Sequence, residues 1–285
     1  MASVQDTIRM FREKKLAPKK WLGQNLLVDE NYLQRIVNEA RVIPGEHIVE
    51  IGAGLGALTQ ALVDSGARVT AIEIDSGFFR ELQKRFASVA SVELVHADAL
   101  KYNFRELAQR VGRLRVVANL PYSVSSRLVF MFQENSDIFK SLTIMLQKEV
   151  AERFMADPGT RDYGSLSVLL GIRSHVQGLF HIPGRCFYPA PAVESTLIRI
   201  DFSQVPRFEV TDYKLLTRLV KTAFATRRKT LRNNLKSLLI PGLDAVGIQK
   251  AANDSNIDLG RRAETLSPQE FAAFANAISY QLSHD

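Results

Sequence analysis

A glycine-rich turn between an apolar strand and an amphipathic stretch constrains this chain more than any other feature. His47–Ile51 (HIVEI) reads as a short buried strand, and Gly52, Gly54 and Gly56 follow at alternate positions. Ala57–Asp64 (ALTQALVD) then carries its apolar residues at helical spacing. Glycines in such a turn let the backbone bend sharply and approach a ligand closely. The rhythm continues with strand-like Arg68–Ile74, helix-like Phe78–Phe86, and strand-like Val92–His96 and Leu114–Ala118. Leu142–Leu146 and Thr196–Ile200 are later strand candidates. Strand–helix alternation of this kind predicts an α/β fold with a doubly wound parallel sheet covered on both faces by helices.

After about Ser203 no strand candidate remains. Asp212–Ala225, Arg228–Leu239 and Pro268–Leu282 read as helices, Ile240–Gly242 breaks the pattern, and Ser267 with Pro268 suits a helix start. The expected organisation is one large domain over residues 1–203 and a small all-helical domain over residues 204–285.

Composition excludes several classes. With 46% hydrophobic and 24% charged residues, the chain is neither disordered nor collagenous nor a coiled coil. No apolar run approaches the roughly 18 residues of a membrane-spanning helix, and Met1–Lys20 lacks the apolar core of a secretory signal. The single cysteine, Cys186, can form neither an internal disulfide nor a multi-cysteine zinc site, so a reducing cytoplasm is the expected home. The net charge of +7 is modest, but its distribution is uneven. Arg9, Arg12, Lys14, Lys15, Lys19 and Lys20 crowd the N-terminus, and Arg227, Arg228, Lys229, Arg232 and Lys236 form a second cluster. One basic cluster is as readily a solvated face as a binding surface; two flanking an α/β domain favour a phosphate-rich partner.

The glycine turn has acidic partners in register. Glu73 ends the next strand about twenty residues on, where a carboxylate accepts the hydroxyls of a ribose. Asp98, after the third strand, is placed to take an adenine amino group. Together these outline a pocket for an adenosine-containing cofactor at the carboxyl edge of the sheet. Gly52, Gly54 and Ala57 also satisfy a loose dinucleotide fingerprint, so a nicotinamide dehydrogenase competes. Two features weigh against it: Glu50, an acid in the strand before the first glycine, and a polar motif after the fourth strand.

That motif is Asn119-Leu120-Pro121-Tyr122. An adenine amino nitrogen is a poor nucleophile because its lone pair is delocalised into the ring. Two acceptors aimed at its hydrogens, the Asn119 side-chain oxygen and the Leu120 carbonyl, would favour the tetrahedral nitrogen that attack on a methyl sulfonium requires. Pro121 fixes the backbone, and Tyr122 offers a flat face to an extruded base. Positioning and oriented dipoles then supply most of the acceleration. A plain Asn-Pro turn is the competing explanation for these four residues alone.

Taken in order, the motifs resemble the small-subunit rRNA adenine dimethyltransferase family, KsgA type. Pro18–Leu27 (PKKWLGQNLL) is similar to its N-terminal segment, Glu50–Thr59 to its cofactor loop, and Phe187–Ser195 (FYPAPAVES) to its FxPxPxVDS stretch. Ala223-Phe224 with Arg227–Leu235 (RRKTLRNNL) is similar to its C-terminal basic segment. Ala53, Leu26 and Glu194 stand where proline, phenylalanine and aspartate are usual, and none removes a group with an evident chemical role.

The resemblance implies a Rossmann-like class I S-adenosylmethionine-dependent methyltransferase sheet with a small all-helical C-terminal domain. It implies dimethylation of two adjacent adenosines near the 3′ end of 16S rRNA and a role in small-subunit biogenesis. Asn25, Leu27, Glu50, Gly52, Gly54, Glu73, Asp98 and Asn119 would line the S-adenosylmethionine site. Asn119, Leu120, Pro121 and Tyr122 would face the amine, with Phe187 joining Tyr122 in sandwiching the base. Lys19, Lys20, Arg227, Arg228, Lys229, Arg232 and Lys236 would meet RNA, with Arg228, Arg232 and Lys236 forming a stripe at helical spacing. The expected partners are rRNA and the immature small subunit; no metal, no membrane and a monomer are expected. Two alternatives remain at this point: a large-subunit rRNA adenine methyltransferase of the resistance type, and an assembly or transcription factor that kept the fold without turnover. His96, His175 and His181 lack paired ligand spacing and read as structural, as does Cys186.

Overall fold

The computed structural model describes residues 24–202 and 207–284. The elements run β1 (Leu26–Leu27), α1 (Glu30–Ala40), β2 (His47–Ile51), α2 (Ala57–Asp64), β3 (Arg68–Glu73), α3 (Ser76–Arg85), β4 (Val92–His96), α4 (Phe104–Val111) and β5 (Leu114–Asn119). There follow α5 (Ser125–Glu134), β6 (Phe139–Gln147), α6 (Lys148–Met155), α7 (Ser165–Arg173), β7 (Ser174–Ile182), β8 (Phe187–Tyr188) and β9 (Ser195–Phe202). The last helices are α8 (Tyr213–Ala223), α9 (Leu231–Leu235), α10 (Ala245–Asp254) and α11 (Pro268–His284).

Seven strands form one sheet in the order β4-β3-β2-β5-β6-β9-β7. β2 pairs in parallel with β3 and with β5, β3 with β4, and β5 with β6, whereas β9 runs antiparallel to β6. The central strands are continuous apolar runs because both faces are covered: Ile48, Val49, Val69, Ala71, Val116 and Val117 are all buried. Helices start where the sequence offers a cap. Asp29 accepts the N–H groups of Asn31 and Tyr32 before α1, and Asp75 accepts those of Gly77 and Phe78 before α3. The sheet order reverses between β2 and β5, and the crevice beyond their carboxyl ends is where open α/β sheets bind ligands. A short antiparallel ribbon, β1 with β8, pairs Leu26 with Tyr188 and Leu27 with Phe187. It brings the residues just after Asn25 beside the Phe187–Ser195 segment.

The chain forms two compact units, and their boundary differs from the expected one. The first holds the described residues up to Ala151 together with Gln177–Phe202; the second takes Glu152–Val176 as well as the residues after Phe202. The cause is burial within the second unit. Tyr163 donates from its hydroxyl to the Leu266 carbonyl at 2.9 Å, and a Cβ on Gly171 would lie 2.8 Å from the ring of Pro268. Residues 152–176 therefore serve the helical core, which no local pattern around residue 203 reveals.

The expected helix Arg228–Leu239 is also corrected. Only Leu231–Leu235 is helical. The Leu231 and Arg232 N–H groups donate to the carbonyls of Arg261 and Leu259, at 2.8 and 2.9 Å, so the helix begins there. Buried Asn234 donates through Nδ2 to the Ala223 and Thr226 carbonyls at 2.6 and 3.0 Å, holding the intervening turn. Arg227, Arg228 and Lys229 lie in that turn, and no continuous helical stripe joins Arg228, Arg232 and Lys236.

Candidate active site at the carboxyl edge of the sheet

The glycine turn crosses the ends of β2 and β3. Gly52, Gly54 and Gly56 all have positive φ, at +74°, +59° and +79°. At Gly54 a Cβ would meet Leu26 Cδ2 at 2.6 Å, and at Gly56 it would meet Phe86 Cε2 at 2.5 Å. Space as well as conformation therefore demands glycine here.

Glu73 holds the turn in place. Its Oε2 accepts the Gly54 N–H and its Oε1 accepts the Asp75 N–H, both at 2.8 Å. Burial pushes this carboxyl above its ordinary range, and the two N–H donors oppose the rise. Each oxygen keeps a lone pair for a further donor. The sequence suggests only the ligand-facing role of Glu73; its stapling of the loop is seen in three dimensions alone.

A cavity of about 330 Å³ opens from this turn. Its walls include Gly52, Gly54, Glu73, Asp98 and the whole of Asn119–Tyr122, together with Gln24 and Asn25. Asp98 Oδ1 accepts the Leu100 N–H at 2.9 Å, which fixes the carboxylate on the wall. Ile51, Ile72, Ile74 and Phe78 supply apolar surface. Ile74 was not singled out by the sequence, yet it is 45% exposed directly after Glu73. An exposed isoleucine at a strand end beside an acidic residue is the signal that marks it.

Asn119 ends β5. Its Nδ2 donates to the Asn25 carbonyl at 2.7 Å, which commits the amide nitrogen to one side. Leu120 is buried by its side chain, while Pro121 packs its ring 3.4 Å from where a Gly52 Cβ would lie. Tyr122 is partly buried, and its hydroxyl pairs with Ser195 Oγ at 2.5 Å.

Two expected site residues lie in an adjoining part of the crevice. Glu50 and Leu27 line a neighbouring cavity of about 400 Å³, which shares Leu26, Gly52 and Asn119 with the first. Glu50 is 2% exposed, and Thr59 Oγ1 donates to its Oε2 at 2.5 Å. Burial pushes the Glu50 carboxyl up to about 8, the Thr59 hydrogen bond opposes this, and the Glu73 carboxylate adds to it. The pairing has a measurable consequence. The folded-state pKa lies above the unfolded value of 4.5, so below pH 4.5 both states are protonated and Glu50 has no cost. Between pH 4.5 and about 8 the unfolded chain alone ionises, and stability falls by up to about 1.4 kcal/mol per pH unit. E50Q, which cannot ionise, is expected to flatten this part of the stability–pH curve measured by denaturant titration.

Phe187 is the clearer correction. It is 2% exposed and belongs to the apolar core with Leu27, Val117 and Met145. Successive strand residues face opposite ways, so β8 turns Phe187 inward and Tyr188 toward Leu26, Leu55 and Phe78. No face of Phe187 is open to a base. The basic residues Arg227, Arg228, Lys229, Arg232 and Lys236 are exposed in the second unit, where Arg227 pairs with Glu264 and Arg232 with Gln249. Lys19 and Lys20 lie outside the described residues. Cys186 is buried, and its thiol is pushed up by that burial. Among the described residues no three His, Cys, Asp or Glu side chains cluster as a metal site, and no helix is long and apolar enough to cross a membrane.

With this geometry in view, residues 16–278 match the family described as ribosomal RNA adenine dimethylase. The chain belongs to that family. It is 39% identical over 285 residues to the ribosomal RNA small subunit methyltransferase A of Alkaliphilus oremlandii, covering 99% of each chain. It is 40% identical over 270 residues to the protein of the same name from Geobacter metallireducens, covering 94% of this chain and 98% of that one. Its fold is shared by a dimethyladenosine transferase from Plasmodium falciparum, with TM-score 0.75, 23% identity and coverage of 90% and 98% of the two chains. The 23S rRNA methyltransferase ErmE shares it at TM-score 0.65 and 22% identity, over 90% of this chain and all of that one.

Proposed function

We propose that this ribosomal RNA adenine dimethylase moves methyl groups from S-adenosylmethionine to the N6 atoms of two adjacent adenosines near the 3′ end of 16S rRNA, within small-subunit biogenesis. The observation that carries the reading is the Asn119–Tyr122 turn at the end of β5, forming one wall of a cavity whose other walls hold Glu73, Asp98 and the glycine turn.

The residues present fit an adenosine-bearing sulfonium cofactor. The glycine turn is a cradle that a Cβ at Gly54 would fill, and two carboxylates with spare acceptor capacity flank apolar walls suited to a purine. When bound, S-adenosylmethionine supplies a methyl group already activated by the positive sulfur. Glu73 would accept from ribose hydroxyls and Asp98 from an adenine amino group, and Ile74 would offer the ring an apolar surface. Glu50, with Thr59 behind it, serves the amino-acid end, where an ammonium would favour its ionised form. Asn119 Oδ1 and the Leu120 carbonyl accept the hydrogens of the target amine. The bond from Asn119 Nδ2 to the Asn25 carbonyl keeps the amide from turning over, so that oxygen is held ready rather than recruited. Tyr122 stacks on the extruded base, and the methylated amine loses its proton to water.

Arg228, Lys229 and Lys236 are exposed cations suited to an RNA backbone. Replacing all three with alanine is expected to weaken binding and lower the slope of log affinity against log salt by about 2, measured by filter binding across a salt series.

The reading is tested by incubating the protein with methyl-labelled cofactor and immature small or large subunits, followed by base-resolved mapping. Two neighbouring dimethyladenosines in 16S rRNA are expected. Label in 23S rRNA alone, or none in adenosine, would refute it.

A further inference from the structure

The Tyr122 ring is joined at its far end to a residue outside the Asn119–Tyr122 turn. Its hydroxyl lies 2.5 Å from the Oγ of Ser195, and Ser195 is fully buried. Ser195 opens β9 and sits opposite Gln147 at the end of β6. Two residues earlier on β6, Met145 is level with Asn119 of β5. Ser195 is therefore anchored in the sheet at the same edge as the amine-facing turn, and it belongs to a rigid strand rather than a loop.

We propose that Ser195 is a positioning residue for methyl transfer, fixing where the Tyr122 ring lies through their hydroxyl–hydroxyl hydrogen bond. The inference rests on the function proposed above, in which Tyr122 stacks on the target adenine. A tyrosine ring swings about the Cα–Cβ bond, so a turn alone fixes the start of the ring and not the place of its far end. A hydrogen bond at the phenolic oxygen restrains the end furthest from the backbone. Burial makes that restraint firm: Ser195 Oγ has no water to exchange for Tyr122, and leaving either hydroxyl unpaired there is unfavourable. Reaction rate is sensitive to such placement, because a misaligned base lowers the share of encounters that can react without weakening cofactor binding. The bond also ties the Phe187–Ser195 segment to catalysis by a route other than Phe187, which is turned into the core.

The experiment is a double-mutant cycle with S195A, Y122F and S195A/Y122F, using immature small subunits as substrate. Y122F keeps the ring and removes the same bond without touching β9, so a folding defect in S195A cannot hide the answer. Each single variant is expected to lower kcat about tenfold. Cofactor Kd by calorimetry should stay within about twofold, and the double variant should be no slower than the worse single one. Y122F retaining full kcat, or losses that multiply in the double variant, would overturn the proposal. So would a cofactor Kd that weakens in step with kcat. Wild-type protein that methylates no adenosine would overturn the function on which it rests, whereas an active wild type with an unimpaired Y122F overturns the positioning role alone.

Discussion

Asn119→Ala is expected to lower kcat about 10²–10³-fold, the size of effect seen when one preorganised polar partner of a developing charge is removed. The loss should fall on the chemical step. The carboxylates proposed for the cofactor, Glu73 and Asp98, are held by backbone N–H groups of Gly54, Asp75 and Leu100, none of which involves Asn119. Cofactor Kd should therefore change only a few-fold. Stability should drop modestly, because the Asn25 carbonyl loses its amide partner in a partly open cavity where water can replace it. Asn119→Asp is the sharper companion, since it keeps an acceptor oxygen but offers no N–H to the Asn25 carbonyl. If the amide is oriented by that carbonyl, the aspartate is nearly as slow as alanine. Single-turnover rates with calorimetric Kd values separate the steps, and an N119A enzyme with near-normal kcat would refute the role assigned to the amide oxygen.

Glu73→Ala is the second large effect, and it combines two losses. The carboxylate is the acceptor proposed for the ribose, so cofactor Kd is expected to rise at least about 100-fold. It is also the staple of the glycine turn, and its removal leaves the Gly54 and Asp75 N–H groups without their partner. At about 1–3 kcal/mol for each buried N–H left unsatisfied, the fold should lose several kcal/mol. At roughly 2–4 °C per kcal/mol, the melting temperature should fall by about 10 °C. G54V should break the cofactor site by a different route, through the positive φ and the 2.6 Å approach to Leu26. Thermal melts with calorimetry distinguish the two. An E73A protein that binds S-adenosylmethionine within a few-fold of wild type would remove Glu73 from the cofactor site.

How far the sequence could be read depends on which forces decide each element. β2, β3 and β5 were legible because strands covered on both faces are largely apolar, and β4, a half-exposed edge strand, was legible from its short valine- and leucine-bearing run between polar residues. Glu73, Asp98 and Asn119 were legible as candidates because a charged or amide group at or just past the end of a strand marks the sheet edge, and the structure brings all three to one cavity. Phe187 was not, because one step along β8 decides whether an aromatic faces the core or the crevice, and a two-residue strand has too little pattern to set its phase. The segment Arg227–Lys236 has good helix formers, yet tertiary hydrogen bonds from Asn234, Leu231 and Arg232 win over propensity. The edge strand β7 carries a mixed burial pattern and so escaped notice. The tie between Tyr122 and Ser195 joins residues 73 positions apart and has no local signature at all.

The discontinuous second unit has an architectural consequence. The backbone passes between the two bodies three times, after Ala151, Val176 and Phe202. No single proteolytic nick can release either body, and no fusion at one junction can graft the helical body onto another catalytic sheet. A polypeptide ending at residue 203 would keep Glu152–Val176 without its companions, leaving Val168, Leu169, Leu170 and Ile172 bare of the packing that buries them. The helical body and the sheet are thus inherited together, as one threaded object rather than as two interchangeable modules.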